Sequence, residues 1–358
     1  MTDVMRAVVY DRVGERPRVT EVAVPDCPVG GAVVRVEATG VCRSDWHAWR
    51  GHDPVPLPMI PGHEFAGVIT EIGAGVTRFA PGDRVTAPFV NGCGRCEWCR
   101  SGDAQVCPDQ TQPGFTRNGS FAEYVAVTAA DTNLVRLPDT VGADAAAALG
   151  CRFATAFRAV TTHGRVRAGD AVAVFGCGGV GLSAVMVAAA LGARVTAVDV
   201  SDAALDRARG LGAVRTVRAP GASGEGSADD ARVEAAVIDA TNGGAHVTID
   251  GIGTAATATA AIRSLRRRGR HVQVGLMLGD AATAPLPWGR VIAWEITVFG
   301  SHGMSARDYP AMLAMLEDGS LDPRRLVRSV TDLDGAIGAL LDMDSPQRSA
   351  GGIVVARP

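Results

Sequence analysis

With 358 residues, 47% apolar and 20% charged, the chain has material for about two domains with buried cores. Its 35 basic and 38 acidic side chains leave a formal charge of -3, which excludes the basic footprint of a nucleic-acid binder and a Lys/Arg cluster for anionic lipid. The start, Met1–Tyr10, carries Asp3 and Arg6 and lacks the apolar core of a signal peptide, so a cytoplasmic protein is expected.

The first 150 residues hold short β-prone runs at Arg6–Tyr10, Ala32–Ala38, Gly67–Ile72 and Ala122–Val127. Pro25, Pro28, Gly30, Pro61, Gly62, Pro81 and Gly82 punctuate them, the pattern of an irregular, mostly antiparallel, barrel-like domain. Asp144–Leu149 and Thr155–Thr161 then read as helix. Beyond them strand and helix alternate: Ala171–Phe175 strand, Val180–Leu191 helix, Arg194–Val198 strand, Asp202–Leu211 helix with Ser201 as its N-cap. Further strands are predicted at His246–Asp250, His271–Gly275 and Ile296–Gly300, which implies a parallel sheet covered by helices. Ala171–Ala193 has no charged residue and is long enough for a membrane span, but four central glycines make it a strand, a turn and a helix. The Gly/Ser-rich piece Pro220–Ser227 is predicted to be a mobile surface loop. After about residue 300 the rhythm is lost, and composition does not say where the tail packs.

Gly176-Cys177-Gly178-Gly179-Val180-Gly181 matches G-x-G-x-x-G, with a strand before it, a helix after it, and Asp199 at the end of the next strand, 23 residues after Gly176. In such a unit Gly176 permits the tight turn, Gly178 lets backbone approach a pyrophosphate, and Gly181 lets helix and strand pack closely. The helix N-terminus offers free N–H groups to phosphate, and Asp199 is the expected acceptor for the adenosine ribose hydroxyls.

Four of the eight cysteines form Cys93-x2-Cys96-x2-Cys99-x7-Cys107. Four thiolates with no open position suit a closed, structural zinc. The last gap is too long for a ferredoxin iron–sulfur run. Cys42, His63 and Cys151 are dispersed. As residues alone they read equally as buried small side chains or as a Cys2His set that leaves a metal one open position. Cys27 and Cys177 have no evident partners.

Taken in order, Gly40-Val41-Cys42-Arg43-Ser44-Asp45, Gly62-His63-Glu64-Phe65-Ala66-Gly67, Pro81-Gly82-Asp83-Arg84-Val85, the four-cysteine lobe, Gly150-Cys151 and Gly176 to Gly181 resemble the zinc-containing medium-chain alcohol dehydrogenases over nearly the whole chain. The resemblance implies an α/β protein in which a Rossmann doubly wound parallel-sheet domain, residues 153–298, binds NAD. That domain is inserted into a GroES-like, mostly antiparallel β-barrel catalytic domain, residues 1–152 and 299–358, with the active site in the cleft. It implies Cys42, His63 and Cys151 as catalytic zinc ligands and Cys93, Cys96, Cys99 and Cys107 as structural ones, two zinc ions per chain. Glu64 would lie beside the catalytic metal or join it transiently. Asp45 would orient His63, Ser44 would hydrogen-bond the zinc-bound alcohol oxygen, and His47 would relay the proton outward. Arg43 and Arg348 would meet the pyrophosphate, Thr155 would pack near the nicotinamide, and Gly275 would join Gly176, Gly178, Gly179, Val180, Gly181 and Asp199 in holding the cofactor. Phe89 would line the substrate pocket.

The implied reaction moves a hydride between a primary or secondary alcohol, or the matching aldehyde or ketone, and NAD(H), zinc favouring the alkoxide. A small molecule is the implied partner, with no nucleic acid and no membrane, in a homo-oligomer that is a tetramer rather than a dimer. Two other readings stand beside it. One is a polyol or amino-alcohol dehydrogenase of the same fold, where an acidic residue usually stands in place of Cys151. The other is a zinc-stabilised dinucleotide-binding protein without turnover, which would need no Ser44–His47 relay. Two departures from the family pattern stand out. Arg152 occupies a place usually held by a small residue, where a cation can alter the nicotinamide side of the cleft; the sequence does not say with what effect. His52, in Gly51-His52-Asp53-Pro54, adds an imidazole near the pocket entrance.

Overall fold

The computed structural model describes residues 3–220, 228–345 and 352–358. Most of the predicted loop at 220–227, and Arg348, lie outside the described residues. The described residues up to Ala154 form one compact unit with most of those from Gly303 onward, and Thr155–His302 form the core of a second.

In the first unit the ten-residue strand Ala32–Val41 is the centre of a mostly antiparallel sheet. Its first half pairs with both Glu64–Ile72 and Tyr124–Val127, and its last three residues pair with Ile353–Ala356. Arg84–Thr86 and Val135–Arg136 extend one side; Val327–Thr331, parallel to Ile353–Ala356, ends the other. The tail therefore packs beside the segment that leads into Cys42. Its helix Leu333–Asp342 buries Leu333, Ala336, Ile337 and Leu340, an i, i+3, i+4, i+7 stripe, in a cluster with Tyr10, Met59, Phe121 and Trp49. Asp332 caps this helix by accepting from the Gly335 N–H at 2.9 Å. A second cluster, Val34, Phe65, Ile69, Val85 and Leu134, fills the sheet interior.

The second unit is a six-stranded parallel sheet. Across it the strands run Ala213–Arg218, Arg194–Asp199, Ala171–Phe175, Ala245–Asp250, Leu265–Gln273 and Thr297–Gly300. In chain order that is 3-2-1-4-5-6, the Rossmann arrangement. Ala171–Phe175 is buried at every position and the helix Gly179–Ala190 at most of its positions, which explains the uncharged stretch without a membrane. Among the described residues no helix is long and apolar enough to cross a bilayer.

Two predicted elements change. The strand expected at His271–Gly275 begins at Leu265 and includes Arg266, Arg267, Arg268 and Arg270. The chain there bulges against Ala245–Asp250, and Arg268 takes a positive φ of 59°. The helical region around Cys151 is interrupted by two wide turns, Leu149–Phe153 and Ala159–His163, of the π type that often marks functional sites.

Candidate metal and dinucleotide sites

Cys42 caps the short helix Arg43–Trp49, His63 precedes the strand Glu64–Ile72, and Cys151 lies in the first wide turn. The fold brings one ligand atom from each of Cys42, His63, Glu64 and Cys151 within 4.8 Å of all the others. Asp45, fully buried, locks this arrangement. One carboxylate oxygen accepts the Cys42 N–H at 3.0 Å; the other faces His63 Nδ1 at 2.8 Å and the Gly62 N–H at 3.0 Å. The ring is thus fixed with Nδ1 toward Asp45, and Nε2 is buried with no hydrogen-bond partner. An orphaned imidazole nitrogen beside two sulfurs is what a tetrahedral ion with an open fourth position would satisfy. A hydrogen bond from the Cys151 thiol holds the Cys42 thiol well below its ordinary value, against burial and with help from Arg152 and His63. Phe89 and Phe115 stand edge-on to the His63 ring, at 6.0 and 5.2 Å.

Glu64 and Arg152 form a buried ion pair. The Arg152 side chain turns to Glu64, whose carboxylate lies within 4.8 Å of the Cys42 and Cys151 sulfurs. Burial alone would pull this guanidinium down; the charges of Glu64 and Cys42 hold it above its ordinary value. From the tail, Tyr309 is fully buried and donates its hydroxyl to the Gly150 carbonyl at 3.2 Å, one residue before Cys151. Sequence reasoning missed Tyr309 and Phe115. Neither sits in a motif, and both arrive by chain folding.

Ser44 Oγ lies 3.8 Å from Cys42 Sγ, on the first turn of the same helix. His47 follows one turn later, with its Nδ1 3.0 Å from the Nδ1 of exposed His52. Trp46 stands edge-on to both rings. Burial, then Arg43 and His52, hold the His47 imidazole below its ordinary 6.5. Arg43 donates to the Met343 carbonyl at 2.6 Å and stacks over Trp46. The Trp46 indole donates to Asp344 and that of Trp49 to the Glu15 carbonyl, so both indole N–H groups are held within the protein.

The four cysteines of the lobe carry free, closely spaced sulfurs. Cys93 Sγ lies 4.0 Å from Cys99 Sγ, and Cys96 Sγ lies 3.7 Å from Cys107 Sγ. Four sulfurs at about 2.3 Å from one tetrahedral ion would sit about 3.8 Å apart. Backbone N–H groups of Cys93, Cys96 and Cys99 point at neighbouring sulfurs. The N–H of Arg95 is the main cause that holds the Cys93 thiol down to about 6.

In the second unit Gly176 takes φ +86°, and a Cβ on Gly181 would lie 1.7 Å from the Gly176 carbonyl oxygen. The turn therefore admits glycine alone at these positions. Asp199 accepts the Cys177 N–H at 2.6 Å and the Ser201 N–H at 2.8 Å, so it braces the turn and the start of the next helix. Gly178 is the N-cap of Gly179–Ala190, followed by Val180 in its first turn. Gly275 lies where a Cβ would be 2.4 Å from the Gly253 N, so two loops at the ends of neighbouring strands meet there. Thr155 is buried at the start of this unit.

Residues 29–139 match the family model described as alcohol dehydrogenase GroES-like domain, and residues 179–318 the one described as zinc-binding dehydrogenase. The chain is 35% identical over 320 residues to an alcohol dehydrogenase of Geobacillus stearothermophilus, covering 88% of this chain and 90% of that one. It is 33% identical over 312 residues to a sorbitol dehydrogenase of Halalkalibacterium halodurans, covering 86% and 87%. The solved alcohol dehydrogenase TADH from Thermus sp. ATN1 superposes with a TM-score of 0.87 at 33% identity, over 99% of each chain. The chain belongs to the zinc-containing medium-chain alcohol dehydrogenases.

Proposed function

We propose that the chain is an NAD(H)-dependent dehydrogenase of primary or secondary alcohols, and that it holds two zinc ions. The observation that carries this reading is the unpartnered Nε2 of His63 beside the sulfurs of Cys42 and Cys151, three donors that would leave a tetrahedral ion one position for a substrate oxygen. When bound, zinc supplies a Lewis acid for the alcohol or carbonyl oxygen, and NAD supplies the hydride acceptor. Ser44, next to Cys42, hydrogen-bonds the substrate hydroxyl and accepts its proton while giving up its own toward His47. His47 moves that proton outward, and His52, in contact with it, gives it to solvent. Asp45 fixes the His63 ring. Asp199 receives the ribose hydroxyls on the lone pairs its two N–H partners leave free, while the Gly176–Gly181 turn and Gly275 leave room for the pyrophosphate and the adjoining ribose. Cys93, Cys96, Cys99 and Cys107 hold the second ion and fix their lobe.

A polyol or amino alcohol is the second substrate class to test, because a relative of 33% identity is a sorbitol dehydrogenase. The deciding experiment follows NADH formation with aliphatic, aromatic, terpenoid and polyol alcohols, NAD+ and NADP+ side by side. Steady turnover of simple alcohols with NAD+ is expected. Turnover of polyols alone would move the reading to that class, and no turnover with any alcohol would leave a dinucleotide-binding protein. A homo-tetramer belongs to the same reading: Thr297–Gly300 is the outer strand of its sheet, and Trp288 and Ile292 before it are exposed. Light scattering of the purified chain tests this.

A further inference from the structure

Glu64 is fully buried and offers one of the four donor atoms around the candidate metal position. Yet both of its oxygens are taken. Oε1 accepts the N–H of Cys151 at 3.1 Å, the N–H of Arg152 at 3.0 Å and Arg152 Nε at 3.2 Å; Oε2 meets Arg152 Nη2 in a short contact. Oε1, with about two lone-pair sites, takes three of these contacts, and Oε2 is held by the guanidinium. Arg152 is only 6% exposed, so its cation has left water to engage this partner. The fold makes room for the pair: a Cβ at Gly40 would lie 2.7 Å from Glu64 Oε2 and 3.2 Å from Arg152 Nη2. Three separate segments, at 40, 64 and 152, are thus matched to one ion pair.

We propose that Arg152 is a positioning residue that withholds Glu64 from the metal, so that the centre keeps three protein ligands and an open fourth position. The inference rests on zinc at Cys42, His63 and Cys151. Two thiolates, a neutral imidazole and a divalent ion sum to zero charge; so do Glu64 and Arg152. Without the guanidinium, an uncompensated buried carboxylate would stand within reach of a dication. Coordination is then the cheapest way to satisfy it, and it closes the site. A purely structural ion pair would instead affect folding stability and leave coordination alone.

The test compares wild type, Arg152→Ala and the double variant Arg152→Ala with Glu64→Gln, each loaded with cobalt(II). Imidazole is titrated in as an exogenous ligand for the open position, and the visible spectrum is followed. Wild type should show a saturable spectral shift. Arg152→Ala should differ in spectrum before any ligand is added and bind imidazole about tenfold more weakly or worse, the scale on which groups that orient metal ligands act. The double variant should regain the wild-type response, because its amide is a far poorer metal ligand than a carboxylate. If Arg152→Ala does not fold, Arg152→Gln, which keeps bulk and one hydrogen bond without charge, carries the same expectation. Wild-type spectrum and imidazole affinity in the single variant would overturn the proposal, as would failure of the double variant to regain them. The zinc reading fails separately, if Cys42→Ser does not lower the metal content of the protein by one ion.

Discussion

Asp45 joins two of the three candidate metal ligands: its carboxylate takes the Cys42 backbone N–H at 3.0 Å and faces the His63 ring at 2.8 Å. One carboxylate thus sets the position of a sulfur and the orientation of an imidazole. Asp45→Asn keeps the size but replaces one charged oxygen with an N–H donor. It should lower metal affinity about 10–100-fold, the usual range for partners of metal-bound histidine. Chelator competition measures it, and unchanged affinity would show that His63 needs no orienting group.

Elemental analysis of metal-replete protein should give about two zinc ions per chain, from one closed and one open donor set. Iron with acid-labile sulfide, or a single zinc, would contradict that count.

Cys99→Ser should lower Tm before it lowers catalysis selectively. The sulfurs of the lobe sit at the spacing of one tetrahedral ion, and three thiolates hold it poorly. An unchanged melting curve with zinc retained would remove the structural role.

Ser44→Ala should reduce kcat by about 10²–10⁴-fold, the range for a positioned acid–base group, with NADH binding almost intact. His47→Ala should cost less, since water can replace a group farther from the substrate. The pH dependence has a definite sign. Burial, Arg43 and His52 all disfavour the His47 cation, so its neutral, proton-accepting form persists below pH 6.5. Alcohol oxidation should lose kcat/KM on the acid side only below that value, and Arg43→Met should move this limb to higher pH. A limb that stays in place would mean that another group titrates.

Asp199 has two duties, and they separate by mutation. Asp199→Gly with Val200→Arg removes a charge that repels a 2′-phosphate and adds a cation, so kcat/KM should shift toward NADP by about tenfold or more. The same change removes the acceptor that holds the Cys177 N–H, so the KM for both cofactors should rise. Wild-type preference for NADP, or no shift in the double variant, would show that Asp199 does not discriminate.

Much of this was legible in the sequence because local constraints carry it. The glycine turn declares itself through steric limits at Gly176 and Gly181. The four sulfurs announce themselves by spacing, and the buried parallel strands by their β-branched runs. Contacts between distant segments left no such trace. Arg152 stands out in the sequence as a departure from the family pattern, but its partner Glu64, 88 positions away, does not. The first part of the strand Leu265–Gln273 hid behind its exposed arginines, and Phe115 and Tyr309 lie in no periodic pattern. The two wide turns around Cys151 also escaped notice, because a single extra residue per turn leaves composition unchanged.

The pairing of Ile353–Ala356 with Thr39, Gly40 and Val41 bears on how the protein is made. Cys42 is synthesised early, but the strand that borders its approach follows only after the whole six-stranded unit has emerged. Domains tend to fold as units during synthesis, so that unit has time to fold first, while the three-donor site waits for a strand-neighbour made much later. Under the proposed two-zinc reading, all three donors of the first site are made by residue 151 but the neighbouring strand only by residue 356, whereas the four-cysteine lobe needs nothing beyond Cys107 to complete its donor set.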